Sequence, residues 1–155
     1  MQISSSSGSP QMQVQKLPTG TNGLAYWNES MGADSAQIIA YSFDYDESGT
    51  LDFDEIAAYF VGCAAFPSIA TDASGNMYIT YSAIMENFST GAQNYRHQFV
   101  VHSMDGGVTW NTEDACDLTP DIDFDGYEAV FGSIAPDVVN GKLEIIYQRD
   151  FEPGL

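Results

Sequence analysis

The chain has 155 residues, 44% of them hydrophobic and 13% aromatic, which excludes an intrinsically disordered polymer and gives length enough for one domain with a core of its own. Twenty-two acidic residues stand against four basic ones, for a formal net charge of −18. Lys16, Arg96, Lys142 and Arg149 are scattered singly, so no phosphate-neutralising surface can form: a nucleic-acid partner is excluded and an anionic membrane surface disfavoured.

Residues 1–12 read as a flexible Ser/Gly lead-in. They lack the basic and apolar regions of an export signal and the apolar length of a membrane span. From residue 13 the chain reads as β-structure. G-L-A-Y-W at 23–27 and I-I-A-Y-S-F at 38–43 are short runs rich in β-branched and aromatic residues, and they predict strands in a first unit covering 13–63.

The second of these runs opens onto D-Y-D-E-S-G-T-L-D-F-D-E at 44–55. Self-repulsion among so many carboxylates serves solubility, and only their spacing distinguishes that role from cation binding. Here the spacing resembles the twelve-residue loop of the EF-hand family. The resemblance implies calcium as cofactor, with oxygen ligands from Asp44, Asp46, Ser48, Asp52 and Glu55, the Thr50 carbonyl as backbone ligand and Gly49 at the sharp turn. Asp34 and Ser35 can cap a short helix before the loop, and Ile56, Tyr59 and Phe60 fall at helical spacing after it, as an EF-hand calcium-binding module requires. The β-prone run at 38–43 argues instead for a calcium loop inserted between strands, and that reading is preferred. Cys63 and Cys116 fit no C-x-x-C pattern and are equally compatible with one disulfide or two thiols.

Next comes a repeat. F-P-S-I-A-T-D at 66–72, followed by G-N-M-Y-I-T-Y at 75–81, recurs as F-G-S-I-A-P-D at 131–137, followed by G-K-L-E-I-I-Y at 141–147, an offset of 65 or 66 residues. Each copy is a strand, a turn marked by Asp and Gly, and a second strand with alternating apolar residues: a repeated β-hairpin, which points to blades or a solenoid. Between the copies, the β-prone Y-R-H-Q-F-V-V-H at 95–102 runs into S-M-D-G-G-V-T-W at 103–110.

That octapeptide resembles the Asp-box, S-x-D-x-G-x-T-W, of the BNR-repeat, sialidase-like β-propellers, with Ser103, Asp105, Gly107, Thr109 and Trp110 at its five defining positions. The resemblance covers roughly residues 64–150. It implies an all-β fold, a partial propeller of about two to three four-stranded antiparallel blades, with the box as a structural turn between the third and fourth strands. A blade at 64–120 is then expected, with strands near 67–72, 76–83, 95–102 and 109–118 and with Thr109 and Trp110 opening the last. The region 121–155 supplies the first hairpin of a next blade. So read, the chain is about half of a ring, and its open sheet edges are expected to pair with further blades or to self-associate.

D-I-D-F-D-G at 121–126 repeats the first half of a calcium loop, making Asp121, Asp123 and Asp125 a weaker metal site, with Gly132 standing where a twelfth-position acid belongs. Sialidases clamp their substrate with three arginines and use a Tyr activated by a Glu; Arg96 and Arg149 alone cannot build that clamp. Asp121 and Glu128 could serve acid/base chemistry only at a separation the sequence does not fix, and His97 and His102 sit on a predicted strand with no Ser or Cys motif near them. No catalytic residue is assigned.

The expected function is a noncatalytic, calcium-binding propeller segment making carbohydrate or protein contacts. The alternatives are an EF-hand module and a fragment of a sialidase-like glycoside hydrolase. The resemblance, together with a calcium loop that loads readily at extracellular calcium levels, implies a location outside the cell.

Overall fold

The computed structural model describes residues 11–16, 22–27, 37–54, 59, 61–120 and 126–154. It is all-β, with no α-helix among these residues. Its strands are β1 (Gln11–Lys16), β2 (Asn22–Trp27), β3 (Gln37–Ala40), β4 (Ala64–Thr71), β5 (Met77–Ser89), β6 (Asn94–Ser103), β7 (Cys116–Asp117), β8 (Glu128–Ile134) and β9 (Ile145–Asp150), with one 3-10 turn at Thr112–Asp114. They form three antiparallel sheets in simple meander order: β1-β2-β3, β4-β5-β6-β7 and β8-β9. β1 starts inside the segment expected to be a lead-in.

The four-stranded sheet is the middle layer, and the period-2 alternation of its long strands decides what lies on each side. Ile79, Tyr81, Ala83 and Met85 of β5, with Phe99 and Val101 of β6, face the first sheet and share one apolar core with Leu24, Tyr26, Ile39 and Ala40. Four of the intervening residues, which face β8, are polar yet buried: Thr80, Ser82, Arg96 and Gln98, alongside the apolar Ile84 and Val100. Thr80, Ser82 and Gln98 are joined in one network. Ser82 donates to Gln98 Oε1 at 2.9 Å, Gln98 Nε2 donates to Thr80 Oγ1 at 2.6 Å, and Thr80 Oγ1 donates to the Phe99 carbonyl at 3.0 Å. A closed network of this kind avoids the penalty that each group would incur if buried alone. Gly132 permits the close approach, because a Cβ there would lie 2.2 Å from Gln98 Nε2.

The sequence repeat is also a geometric repeat. Phe66 and Phe131 each adopt a left-handed φ of 55°. Each sits where its strand register slips, between Ala65 and Ser68 in one hairpin and between Val130 and Ser133 in the other. The two hairpins join along their first strands: Thr71 accepts from the Val138 amide and donates to the Pro136 carbonyl, both at 3.0 Å, and the Ser68 hydroxyl accepts from the Ile134 amide at 3.2 Å. The second hairpin closes on Asn140 and Gly141 with φ of 54° and 69°, the paired left-handed residues of a type I′ turn.

The fourth strand differs from expectation. A strand over 109–118 shrinks to β7, Cys116–Asp117, and Thr109 and Trp110 lie in irregular backbone. The reason is local: the amides of Val108 and Thr109 donate to Asp105 Oδ1 at 3.0 and 2.9 Å, and the chain then tightens into the 3-10 turn, so these groups are not free for a ladder.

Candidate metal centre

The acidic loop leaves β3 through 41–44 and folds on its own carboxylates. Asp44 accepts from the Ser48 amide (3.1 Å) and the Gly49 amide (2.7 Å), and Asp46 accepts from the Ser48 amide (3.0 Å). That curl needs left-handed backbone at Glu47 (φ 57°) and Gly49 (φ 86°), so Gly49 stands at the sharp turn as the spacing predicts. The Ser48 amide, first among its causes, holds the Asp46 carboxyl below the ordinary carboxylate range.

The loop is clasped to the middle sheet by a residue that the sequence reading missed. Glu86, on β5, accepts from the Tyr45 amide at 2.7 Å and from the Asp52 amide at 2.8 Å, bridging the two arms of the loop with one carboxylate. Farther on, the Asp54 amide donates to Asn94 Oδ1 at 2.8 Å and Ser89 donates to Asp54 Oδ2 at 2.5 Å. Asp44, Asp46 and Glu86 thereby place one carboxylate oxygen each within 4.8 Å of one another, and this acidic triad can hold a metal ion. Among the described residues, no Lys or Arg makes an ion pair with any of the three.

The other expected ligands are distributed differently. Ser48 turns its hydroxyl to the Thr50 carbonyl (2.9 Å), the Asp52 carboxylate accepts from the Thr50 hydroxyl (3.4 Å), and neither Ser48 nor Asp52 belongs to the triad. Glu55, and the weaker site of Asp121, Asp123 and Asp125, lie outside the described residues. The strand Gln37–Ala40 stands where an EF-hand would have its entering helix; Asp34, Ser35, Ile56 and Phe60 also lie outside the described residues. In the sequence, the signal for Glu86 is its place as the one charged residue of an otherwise uncharged strand. Nothing local connects it to a loop more than thirty residues earlier.

The turn at 103–110 is built on Asp105. Besides its two amide bonds, it accepts from the Thr109 hydroxyl (2.6 Å) and the Ser103 hydroxyl (2.7 Å), and these donors, Thr109 first, pull its carboxyl down to about 2. Ser103 in turn accepts from the Gly107 amide at 2.8 Å, and Trp110 packs on Tyr26 of the first sheet with ring centroids 5.2 Å apart. All five expected positions thus serve one turn and its docking.

A second cluster of ionisable residues lies between the middle sheet and β8. Tyr59 donates to Glu128 Oε1, and the Gly154 amide donates to both the Tyr59 hydroxyl (3.1 Å) and Glu128 (3.2 Å). Burial raises the Glu128 carboxyl above its ordinary range and raises the Tyr59 phenol as well. Arg96, lowered by burial to about 10, directs its guanidinium to the carbonyls of Cys63 and Gly62, both at 2.9 Å. A phenol pushed up is the reverse of an activated nucleophile, and the Arg96 guanidinium, 1% exposed, is buried away from any substrate carboxylate in solution. His97 is likewise internal, buried with Nδ1 2.7 Å from Asp117 Oδ2, and His102 is half-buried beside Tyr78. Cys63 is buried and Cys116 exposed, both as free thiols.

No helix among the described residues is long and apolar enough to cross a membrane. Comparison with protein families, with curated proteins and with solved structures finds no match.

Proposed function

We propose that this chain is a noncatalytic, calcium-binding segment of an Asp-box β-propeller from an extracellular protein, rigidified by the ion and using its exposed faces for protein or carbohydrate contacts. The observation that carries the metal half of this reading is the Asp44, Asp46 and Glu86 triad: three carboxylates gathered at one point with no balancing Lys or Arg among the described residues. Calcium takes about six to eight hard oxygens, and this donor set is all oxygen, so the residues fit the ion. Asp44, Asp46 and Glu86 would hold it. The ion supplies positive charge that ties the loop to β5, and the chain's own contribution is the amide clasp that sets the three carboxylates together. The propeller half is supported by the four-stranded meander, by a turn of the expected composition between its third and fourth strands, and by a second hairpin repeating the same bulge.

The fragment-of-a-hydrolase reading is weakened by the internal state of Tyr59, Glu128 and Arg96, and the EF-hand module reading by the strand that leads into the loop. The test is a thermal melt followed by far-UV circular dichroism in excess EDTA, in millimolar calcium and in millimolar magnesium. A β-type spectrum whose midpoint rises with calcium is expected, since an ion at a hundred times its Kd adds about 2.7 kcal/mol by mass action. A midpoint indifferent to calcium would reduce the loop to an acidic turn, and a helical spectrum sharpening with calcium would restore the EF-hand module.

A further inference from the structure

Among the described residues Glu128 is the one acidic side chain that is buried, and it is wholly so. It opens β8, and its two oxygens have different surroundings. Oε1 accepts from the Tyr59 hydroxyl and from the Gly154 amide, whereas Oε2 has no hydrogen-bond partner. No Lys or Arg makes an ion pair with either oxygen. The charged and titratable groups around it come from few elements. β6 brings Tyr95 and Arg96, and the guanidinium of Arg96 spends its terminal nitrogens on the Cys63 and Gly62 carbonyls. β9 brings Asp150, directly opposite Glu128 in the hairpin register, with Glu152 just beyond; Arg149, one place earlier, lies instead over the Tyr127 ring at 4.0 Å. β4 carries no ionisable side chain, and Glu86, the one charged residue of β5, is held at the acidic loop.

We infer that Glu128 is a proton-responsive fastening of the β8–β9 hairpin, firmer with its carboxyl protonated than with it ionised. A carboxylate taken out of water without a cation at contact distance is disfavoured in its charged form, and a second carboxylate directly across the ladder adds repulsion. The proton comes from solvent and bonds to Oε2, the oxygen that holds nothing, so Tyr59 and Gly154 keep their acceptor at Oε1. Burial, first among the causes, and the Asp150 charge raise the Glu128 carboxyl, and they outweigh the bonds from Tyr59 and Gly154 and the attraction of Arg96. The folded chain therefore holds this proton to higher pH than the unfolded chain does. The stability it contributes is fully present below the unfolded value of about 4.3 and is lost as pH rises through the folded one. The effect is placed where the two hairpins meet, because the Tyr59 ring packs edge-on against both Phe66 and Phe131. None of this depends on the metal or on the propeller reading.

The test compares melting midpoints of the full chain and of Glu128→Gln between about pH 7.5 and about pH 4.5, with calcium fixed at one millimolar level for both. Ion binding, and every carboxyl other than Glu128, then cancels in the difference. The gap between the two proteins is expected to move in favour of the wild type by about 3 °C or more as pH falls. A gap that stays constant, or that moves against the wild type, overturns the inference. The wild type alone supplies a second measurement, which stands even if Glu128→Gln fails to fold: the Glu128 side-chain carbonyl carbon, assigned by NMR through its backbone, is expected to titrate above the ordinary glutamate value of about 4.3, and lower in Asp150→Asn than in the wild type. Titration at or below the ordinary value overturns the inference, and a value that Asp150→Asn leaves unmoved removes the cross-strand carboxylate from it.

Discussion

Phe66 and Phe131 pack with ring centroids 4.6 Å apart and planes tilted by 56°, each at the bulge of its own hairpin and each in the same left-handed backbone state. A phenylalanine at φ of 55° is strained, so both hairpins carry the same unfavourable conformation and recover part of its cost in one shared contact. Tyr59 closes the cluster, edge-on to both rings at 5.9 and 5.5 Å. The repeated residue is therefore also the joint between the repeats.

This joint predicts coupling. In a double-mutant cycle with Phe66→Ala and Phe131→Ala, urea unfolding should give an interaction energy of about 0.5–1.5 kcal/mol, the range of aromatic pairs. Strict additivity would mean that the two rings only share a neighbourhood.

Glu86→Gln should preserve hydrogen-bond acceptance from Tyr45 or Asp52 while removing one of three negative charges at the triad. The calcium-induced rise in melting midpoint is expected to shrink, with calcium affinity by isothermal titration falling about tenfold or more, since ligand charge count sets the affinity of such sites. A Glu86→Gln protein that binds calcium as the wild type does would place the ion elsewhere in the loop.

Gly107 and Gly75 separate backbone strain from crowding. Both have left-handed φ, 92° and 84°, but a Cβ at Gly107 would lie 2.6 Å from the Tyr26 hydroxyl, while nothing lies within 4 Å of one at Gly75. Gly75→Ala should cost about 1–2 kcal/mol from strain. Gly107→Ala should cost about 1–3 kcal/mol more, because it drives Tyr26 away from Trp110. Equal losses in chemical denaturation would mean that Tyr26 yields freely.

Asp105 gives the fold a calculable acid sensitivity. Its folded carboxyl is held at about 2, against about 3.9 for an unfolded Asp, so the unfolded state binds the proton more readily. The resulting stability is present above the unfolded value and is lost as pH falls toward 2. Melting midpoints of wild type and Asp105→Asn should therefore differ at pH 7 and converge between about pH 5 and 2. A gap that stays constant across that range would deny the charge any part in the turn.

By itself the sequence determined the local features. Strand alternation in β5 and β6, the repeated hairpin, the Gly49 bend and the self-contained turn on Asp105 are all written within a few residues, because they rest on side-chain period, positive φ and short-range hydrogen bonds. The tertiary structure decided which carboxylates meet. Glu86 reaches the loop only because β5 runs beneath it, whereas Asp52, which shares the loop's ligand spacing, spends its amide on Glu86 and stands outside the triad. It likewise decided that Tyr59 and Glu128 form an internal tie, and that Ile146 is exposed where its counterpart Thr80 is buried. Burial and charge proximity are sums over segments far apart in the chain, and no local pattern of residues encodes such a sum.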